Sequence, residues 1–372
     1  MTKILNGYIH RAQQKSEFTS LTLVFPAGSI YETPGTHGIS HLMEHLICKL
    51  VDRYQDRFLN DCIDFNAETD FNYVQFYFRG LESKLQPEFK RELVTALLSG
   101  FDSITEEQFE MEKQIVIQEI TDDYDDPYLG NLFNSFYRYY NIIEPGGIID
   151  DVKNFSFAAA KKMYEDVFTK PLRIVEVGKE WSHFENIEYC DKLPFKVLPK
   201  FKVTKKKLAE TLEGDKPLVM VFGKRLLKRS DYQYMRIASV MLLQGLNSPF
   251  VQELREKRGL TYDISLEFQP VQDHCIFWLC ATTDNDHAAE LSSLLSDMCT
   301  NVRNYLTKER FDLAINFIKT NREIKKCSQW KYPQLYTENE CPHIFTRLER
   351  IRYEKLVGIV ERYMYNIYPV IL

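Results

Sequence analysis

Two histidines four residues apart, with a glutamate beside the second, make the pattern His41-Leu-Met-Glu44-His45. On a helix, positions i and i+4 share one face, so both imidazoles can reach a single metal ion. Glu44 would then stand beside the ion, where it can take a proton from a water whose pKa the metal lowers to about 7. Such a site needs a third protein ligand, usually a carboxylate or another histidine. The segment EEQFEMEKQIVIQEITDDYDDP offers Glu112 and Glu119, seven residues or two helical turns apart and so on one face. Together these residues could carry out metal-assisted hydrolysis.

The elements that must position them are legible in outline. From Gly38 the pattern GISHLMEHLICKLVDRYQDRFL repeats its apolar residues at helical spacing. Before it, LTLVF at 21–25 has strand character and ends at the turn formers Pro26 and Gly28. Behind it, FNAETDFNYVQFYFRG alternates, with Val74, Phe76 and Phe78 on one side and Tyr73, Gln75 and Tyr77 on the other, and reads as a strand. The spacing predicts helices over 87–99, with Pro87 in the first turn, and over 105–122, where Thr105 and Gln108 form a capping box. EPGG at 144–147 reads as a loop, 155–168 as a helix, and His37 as a residue at the start of the motif helix. The crowded carboxylates of DDYDD read as a solvated helix end, because no calcium-loop spacing accompanies them. The run FNSFYRYY at 133–140 reads as packing.

The stretch 193–217, with two interior prolines and a lysine cluster, is the best linker candidate. Beyond it PLVMVFG is a strand, 232–244 a helix, and PFVQELREKRG a second helix stopped by Gly259. Strands over 262–268 and 275–281 and a helix over 287–306 follow. The order resembles that of the first half, which suggests two α+β domains of one design: 1–196, a linker at 197–214, and 215–372. Residues 325–372 fit no pattern.

Composition narrows the rest. The chain has 372 residues and a net charge of -6, with no basic face apart from KFKVTKKK, so nucleic acid gains little from binding it. That lysine cluster lacks interleaved aromatics and reads as a solvated connector. No 18-residue apolar window exists, which argues against a membrane span. Eight scattered cysteines without a CxxC pair, and an N-terminal segment without a signal-peptide pattern, point to reduced thiols and the cytoplasm.

The HxxEH motif, with a glutamate 74 residues after His45 and another seven before that one, resembles the pitrilysin and insulysin family of zinc peptidases, which includes the mitochondrial processing peptidases. The resemblance implies that His41, His45 and Glu119 hold one zinc ion per chain, that Glu112 orients the site, and that Glu44 is the base. FNAET at 65–69 is similar to the family's Asn-Ala-x-Thr segment, which implies that Asn66 and Ala67 contact an extended substrate at a strand edge. LREKRGLTY is similar to its Arg/Tyr pair, which implies that Arg255 and Tyr262 meet the substrate carbonyl and the oxyanion. Arg258 is the alternative to Arg255.

The implied fold is α+β, two homologous domains, each a mostly antiparallel β-sheet packed with α-helices, together half of a clam-like chamber. Family members of this kind are usually longer, and such chambers commonly need four domains. A dimer, with itself or with a paralogous subunit, is therefore implied. The implied activity is that of a zinc metalloendopeptidase acting on peptides or unfolded segments, in maturation or degradation. The alternative is a non-catalytic family subunit that serves as a binding partner or scaffold.

Overall fold

The computed structural model describes residues 2–5, 9–13, 16–125, 142–184, 186–190, 217–271, 274–327 and 348–371. These fall into two compact units, the first holding 2–125 and 143–190 and the second 217–325 and 348–371. The expected linker at 197–214, the aromatic run at 133–140 and residues 328–347 lie outside the described residues.

The first unit runs β1 (Thr2–Leu5), β2 (Ile9–Gln13), β3 (Phe18–Phe25), α1 (Ile39–Cys48), α2 (Gln55–Asp61), β4 (Asp64–Thr69) and β5 (Val74–Leu81). It continues through α3 (Pro87–Ser99), α4 (Glu106–Asp125), α5 (Ile149–Asn154), α6 (Phe157–Met163) and β6 (Arg173–Gly178). Its strands form one sheet in the order β1-β2-β6-β3-β5-β4, antiparallel except for the pair β2 and β6. Period-two alternation puts Leu21, Leu23 and Phe25 of β3 opposite Phe78, Phe76 and Val74 of β5. All six are fully buried in one core with Leu42, Met43, Leu46 and Ile47 of α1 and Phe89, Leu93 and Leu97 of α3. Each such side chain contributes about 1.5–3 kcal/mol by leaving water. The apolar stripe of α1 therefore fixes the helix's rotation, and His41, Glu44 and His45 are carried on the other stripe.

Local sequence explains the element ends. Thr105 Oγ1 accepts the Gln108 N–H at 3.2 Å while Gln108 Oε1 accepts the Thr105 N–H at 2.9 Å, the reciprocal capping box expected before α4. Ser156 caps α6 by accepting the Ala159 N–H at 3.2 Å. Two expectations need correction. The helical pattern after Gly38 is not one helix: a 3-10 stretch over Lys49–Tyr54 separates α1 from α2. The pattern at 65–80 is not one strand but a hairpin, in which the chain reverses between Thr69 and Val74, with the Asp70 N–H donating to the Tyr73 carbonyl at 2.9 Å. The apolar residues switch from odd positions (Phe65, Ala67, Phe71) to even ones (Val74, Phe76, Phe78) across Asp70 and Asn72, and this change of phase, without a glycine or proline, is the only mark the turn leaves in the sequence.

The second unit holds β7 (Leu218–Gly223), β8 (Leu227–Lys228), α7 (Arg229–Leu243), and α8 (Pro249–Val251), which runs on as a π-helical stretch over Gln252–Lys257. Then come β9 (Ile264–Val271), β10 (His274–Thr282), α9 (Ala288–Thr300), α10 (Lys308–Cys327), α11 (Tyr353–Met364) and β11 (Ile367–Ile371). The sheet is wholly antiparallel, with β10 pairing β7, β8 and β9, and β11 pairing β7. Val219, Val221, Phe277 and Leu279 of the sheet are buried with residues of α7, α9 and α11. The segment after 325, which carries no readable pattern, supplies α11 and the strand β11 that completes this sheet. Each unit is thus a mostly antiparallel sheet packed with helices, the fold class expected.

Candidate metal centre

In the first unit the imidazoles of His41 and His45 stand one turn apart on α1, ring centres 4.9 Å from each other. Glu119, on α4, reaches both: its Oε2 lies 3.3 Å from His41 Nε2 and 3.3 Å from His45 Nε2. One ligand atom from each of the three residues lies within 4.8 Å of the other two. Ligands about 2.0–2.1 Å from a tetrahedral ion sit roughly 3.3–3.4 Å apart, so the two 3.3 Å separations have the length such an ion requires. Two imidazole nitrogens and a carboxylate are also a donor set that suits zinc. The residues present fit that metal.

The far nitrogens of the two rings are held as well. His45 Nδ1 lies 3.2 Å from Glu112 Oε2, and the other oxygen of Glu112 is 2.9 Å from Lys49 Nζ. His41 Nδ1 lies 3.3 Å from the carbonyl of Gly146. An Nδ1–H that donates to an acceptor leaves Nε2 with its lone pair free for a metal, so both contacts favour the ligating tautomer. Glu119 holds its carboxyl below the usual range, chiefly through its contact with His41. For His41 burial pulls the pKa down, but Glu119, Glu44 and the Gly146 carbonyl outweigh it and the net shift is upward. The negative potential that raises His41 would equally attract a cation.

Gly146 belongs to the EPGG loop, and the glycine that follows it is required sterically. Gly147 (φ +103°) and Gly38 (φ +102°) pack backbone to backbone, and a Cβ on Gly147 would lie 2.3 Å from the Gly38 Cα. The Ile148 N–H donates to the His37 carbonyl at 3.3 Å, and Asp151 Oδ2 accepts the N–H groups of Gly35 and His37 at 2.9 and 3.0 Å. The loop is thereby pinned to the start of α1, within reach of His41. Glu144 in the same loop is pushed up to about 7 by burial, partly offset by a hydrogen bond from Tyr124.

Glu44 points from α1 toward β4, where its Oε2 accepts a hydrogen bond from Thr69 Oγ1 at 2.6 Å. Burial raises its pKa above the carboxylate range, while the Thr69 bond and the two histidines oppose the shift. Glu32 accepts the N–H groups of Gly38 and Ser40, both at 2.8 Å, and so serves the start of α1. Thr69, Lys49, Glu32 and the Gly146 carbonyl were not singled out in the sequence. Thr69 stands in the FNAET segment already noted there, whereas a backbone carbonyl leaves no residue-type signal.

The remaining sequence-derived residues lie elsewhere. Asn66 and Ala67 are on β4, the edge strand of the first sheet, where Asn66 Oδ1 accepts the Ala67 N–H at 2.9 Å. Arg255 and Tyr262 belong to the second unit and meet each other, the guanidinium carbon 4.3 Å from the centre of the tyrosine ring. Tyr262 is 79% exposed. Arg258 is engaged with Glu253 at 2.9 Å.

Two family descriptions match this chain, "Insulinase (Peptidase family M16)" over residues 8–144 and "Peptidase M16 inactive domain" over residues 179–318. The first span contains His41, Glu44, His45, Glu112 and Glu119, and the second contains Arg255 and Tyr262. The chain belongs to the insulinase family of metallopeptidases, the group that also takes in pitrilysin. An uncharacterized zinc protease of Rickettsia bellii is 22% identical over 328 residues, 82% of this chain and 78% of its own. Zinc protease PqqE of Helicobacter pylori is 24% identical over 310 residues, 75% of this chain and 68% of its own. Among solved structures, a protease from Helicobacter pylori superposes with a TM-score of 0.78 at 18% identity, covering 100% of this chain and 98% of its own. A peptidase M16 inactive domain from Pseudomonas fluorescens gives 0.77 at 15%, covering 100% and 97%. The likeness to these structures is one of fold.

Proposed function

We propose that this chain is a zinc metalloendopeptidase that hydrolyses peptides or unfolded segments. The observation that carries the reading is the convergence of His41 Nε2, His45 Nε2 and Glu119 Oε2, with Glu44 alongside on the same helix face. A zinc ion held by these three residues supplies Lewis-acid activation of water and of the scissile carbonyl. Glu112 and the Gly146 carbonyl keep the two rings in the ligating tautomer. Glu44 accepts the proton of the attacking water and delivers it to the leaving amine. The edge strand β4, with Asn66 and Ala67, binds an extended peptide by its backbone, which favours unfolded substrates over folded ones.

Tyr262, whose ring is exposed and stacked by Arg255, donates to the oxyanion from the second domain. A second copy of this chain or a paralogous subunit is the partner this reading includes. The reading includes a cytoplasmic location, which the scattered cysteines of the sequence, without a CxxC pair, support. Among the described residues no helix is long and apolar enough to cross a membrane.

The test is peptide-library hydrolysis by zinc-loaded protein with and without chelator, alongside Glu44→Gln. The variant is expected to keep its zinc and lose activity by roughly 100- to 10,000-fold. Full activity in a zinc-loaded Glu44→Gln protein refutes this mechanism. Freshly purified protein without stoichiometric zinc favours the scaffold reading instead.

A further inference from the structure

Thr69 closes the strand β4. Strand alternation puts Phe65, Ala67 and Thr69 on one face, and Phe65 and Ala67 lie against the core that α1 also packs on. At the end of this row the Thr69 hydroxyl reaches across to α1 and donates to Oε2 of Glu44 at 2.6 Å. A hydroxyl on a carboxylate at that length is a charge-assisted bond. The Thr69 backbone is itself fixed, because the residue pairs with Val74 in the hairpin. The bond engages one oxygen of Glu44 and orients the other.

A glutamate has three rotatable bonds, and a base must meet its proton within about 2.6–3.2 Å. The helix places the Cα of Glu44 and burial surrounds its side chain, but neither selects the rotation of the carboxyl group about its last bond. The contact with Thr69 does select it, from a neighbouring element of different secondary structure.

We propose that Thr69 is the positioning residue that holds the Glu44 carboxylate in its proton-accepting orientation. This rests on the peptidase reading given above. The hydroxyl, rather than the bulk or the strand preference of threonine, carries the function, so Thr69→Val and Thr69→Ala lose it while Thr69→Ser keeps it. Two different hydroxyl-free variants guard against a folding defect peculiar to one of them.

Zinc-loaded Thr69→Val is expected to lose roughly 10- to 100-fold in kcat. Its KM and its zinc affinity, measured by competition with a chromophoric chelator, stay within about twofold, since the metal donors are untouched. Thr69→Ser recovers most of the rate. Added to Glu44→Gln, the valine change costs nothing further, because the two residues act as one unit. An independent readout uses metal-free protein: the 13C resonance of the Glu44 carboxyl group, assigned by its disappearance in Glu44→Gln, shifts in Thr69→Val and returns in Thr69→Ser. Should wild-type protein hydrolyse no peptide, the peptidase reading fails, and the carboxyl resonance still decides whether Thr69 holds Glu44. An unmoved resonance in both hydroxyl-free variants overturns the proposal. So does a loss confined to KM, or a serine variant no better than the valine one.

Discussion

Glu112 stands between His45 and Lys49, with Oε2 3.2 Å from the ring nitrogen and Oε1 2.9 Å from the ammonium. Both of its oxygens accept. The contact with Lys49 raises the lysine's pKa, mainly through this hydrogen bond, and so secures the charge that keeps the carboxylate in place.

A glutamine at 112 cannot reproduce that arrangement. If its carbonyl faces His45, its NH2 group faces the donors of Lys49, and if it turns over, the NH2 group faces His45 Nδ1 and favours the non-ligating tautomer. Glu112→Gln is therefore expected to weaken zinc binding by about 10- to 100-fold without changing the ligand set. Chelator competition measures it, and an unchanged affinity would show that the Glu112 contact does not orient His45.

Much of this centre was readable in the sequence because helical geometry is local. The spacing of His41 and His45, and that of Glu112 and Glu119, decides which side chains share a face before any tertiary structure is known. That α4 delivers its carboxylates to α1 is a packing result, and only the resemblance to a known family anticipated it. The Gly146 carbonyl was invisible because any residue can offer a backbone acceptor. The hairpin reversal at 70–73 is marked only by Asp70, Asn72 and a one-residue change in the phase of alternation, which is easily read as one strand, and a proline at position 369 masks the strand pattern of β11. An edge strand tolerates that proline.

Stability depends on a second charged cluster, away from α1 and built on the opposite kind of logic. Lys90 is fully buried, its Nζ 2.7 Å from Thr19 Oγ1 and 3.1 Å from Glu176 Oε1. Glu176 also accepts the N–H and the hydroxyl of Ser182, each at 2.9 Å, and faces Arg11 at 3.5 Å. Removing one member of a buried pair strands the other, which typically costs about 3–5 kcal/mol. Lys90→Met should fall near the lower end, since Arg11 and Ser182 remain. Amide exchange through global opening of β3 and β6 would accelerate by roughly 100-fold, the factor that about 3 kcal/mol implies, with the second unit's strands unchanged. A difference below about 1 kcal/mol would mean that the cluster is dispensable for the fold.

Glu32 gives the helix that carries the histidines a pH dependence. Burial pushes its carboxyl up to about 7, against the opposing pull of the Gly38 and Ser40 N–H groups and of His41. His37, whose Nδ1 is 4.0 Å from Glu32 Oε2, is itself held below its ordinary range by burial. A carboxyl whose pKa is higher in the folded state than in the unfolded chain binds its proton more tightly when folded. Its contribution to stability is complete below the unfolded value near 4.5 and is lost as pH rises through 7. Other groups titrate over the same range, so the informative quantity is the unfolding free energy of wild type minus that of Glu32→Gln, both metal-free. That difference is expected to fall by up to about 3 kcal/mol between pH 4.5 and 8. Denaturant titrations across that range would measure it. A difference that stays level or rises with pH would show that Glu32 is not the protonated group at the start of α1.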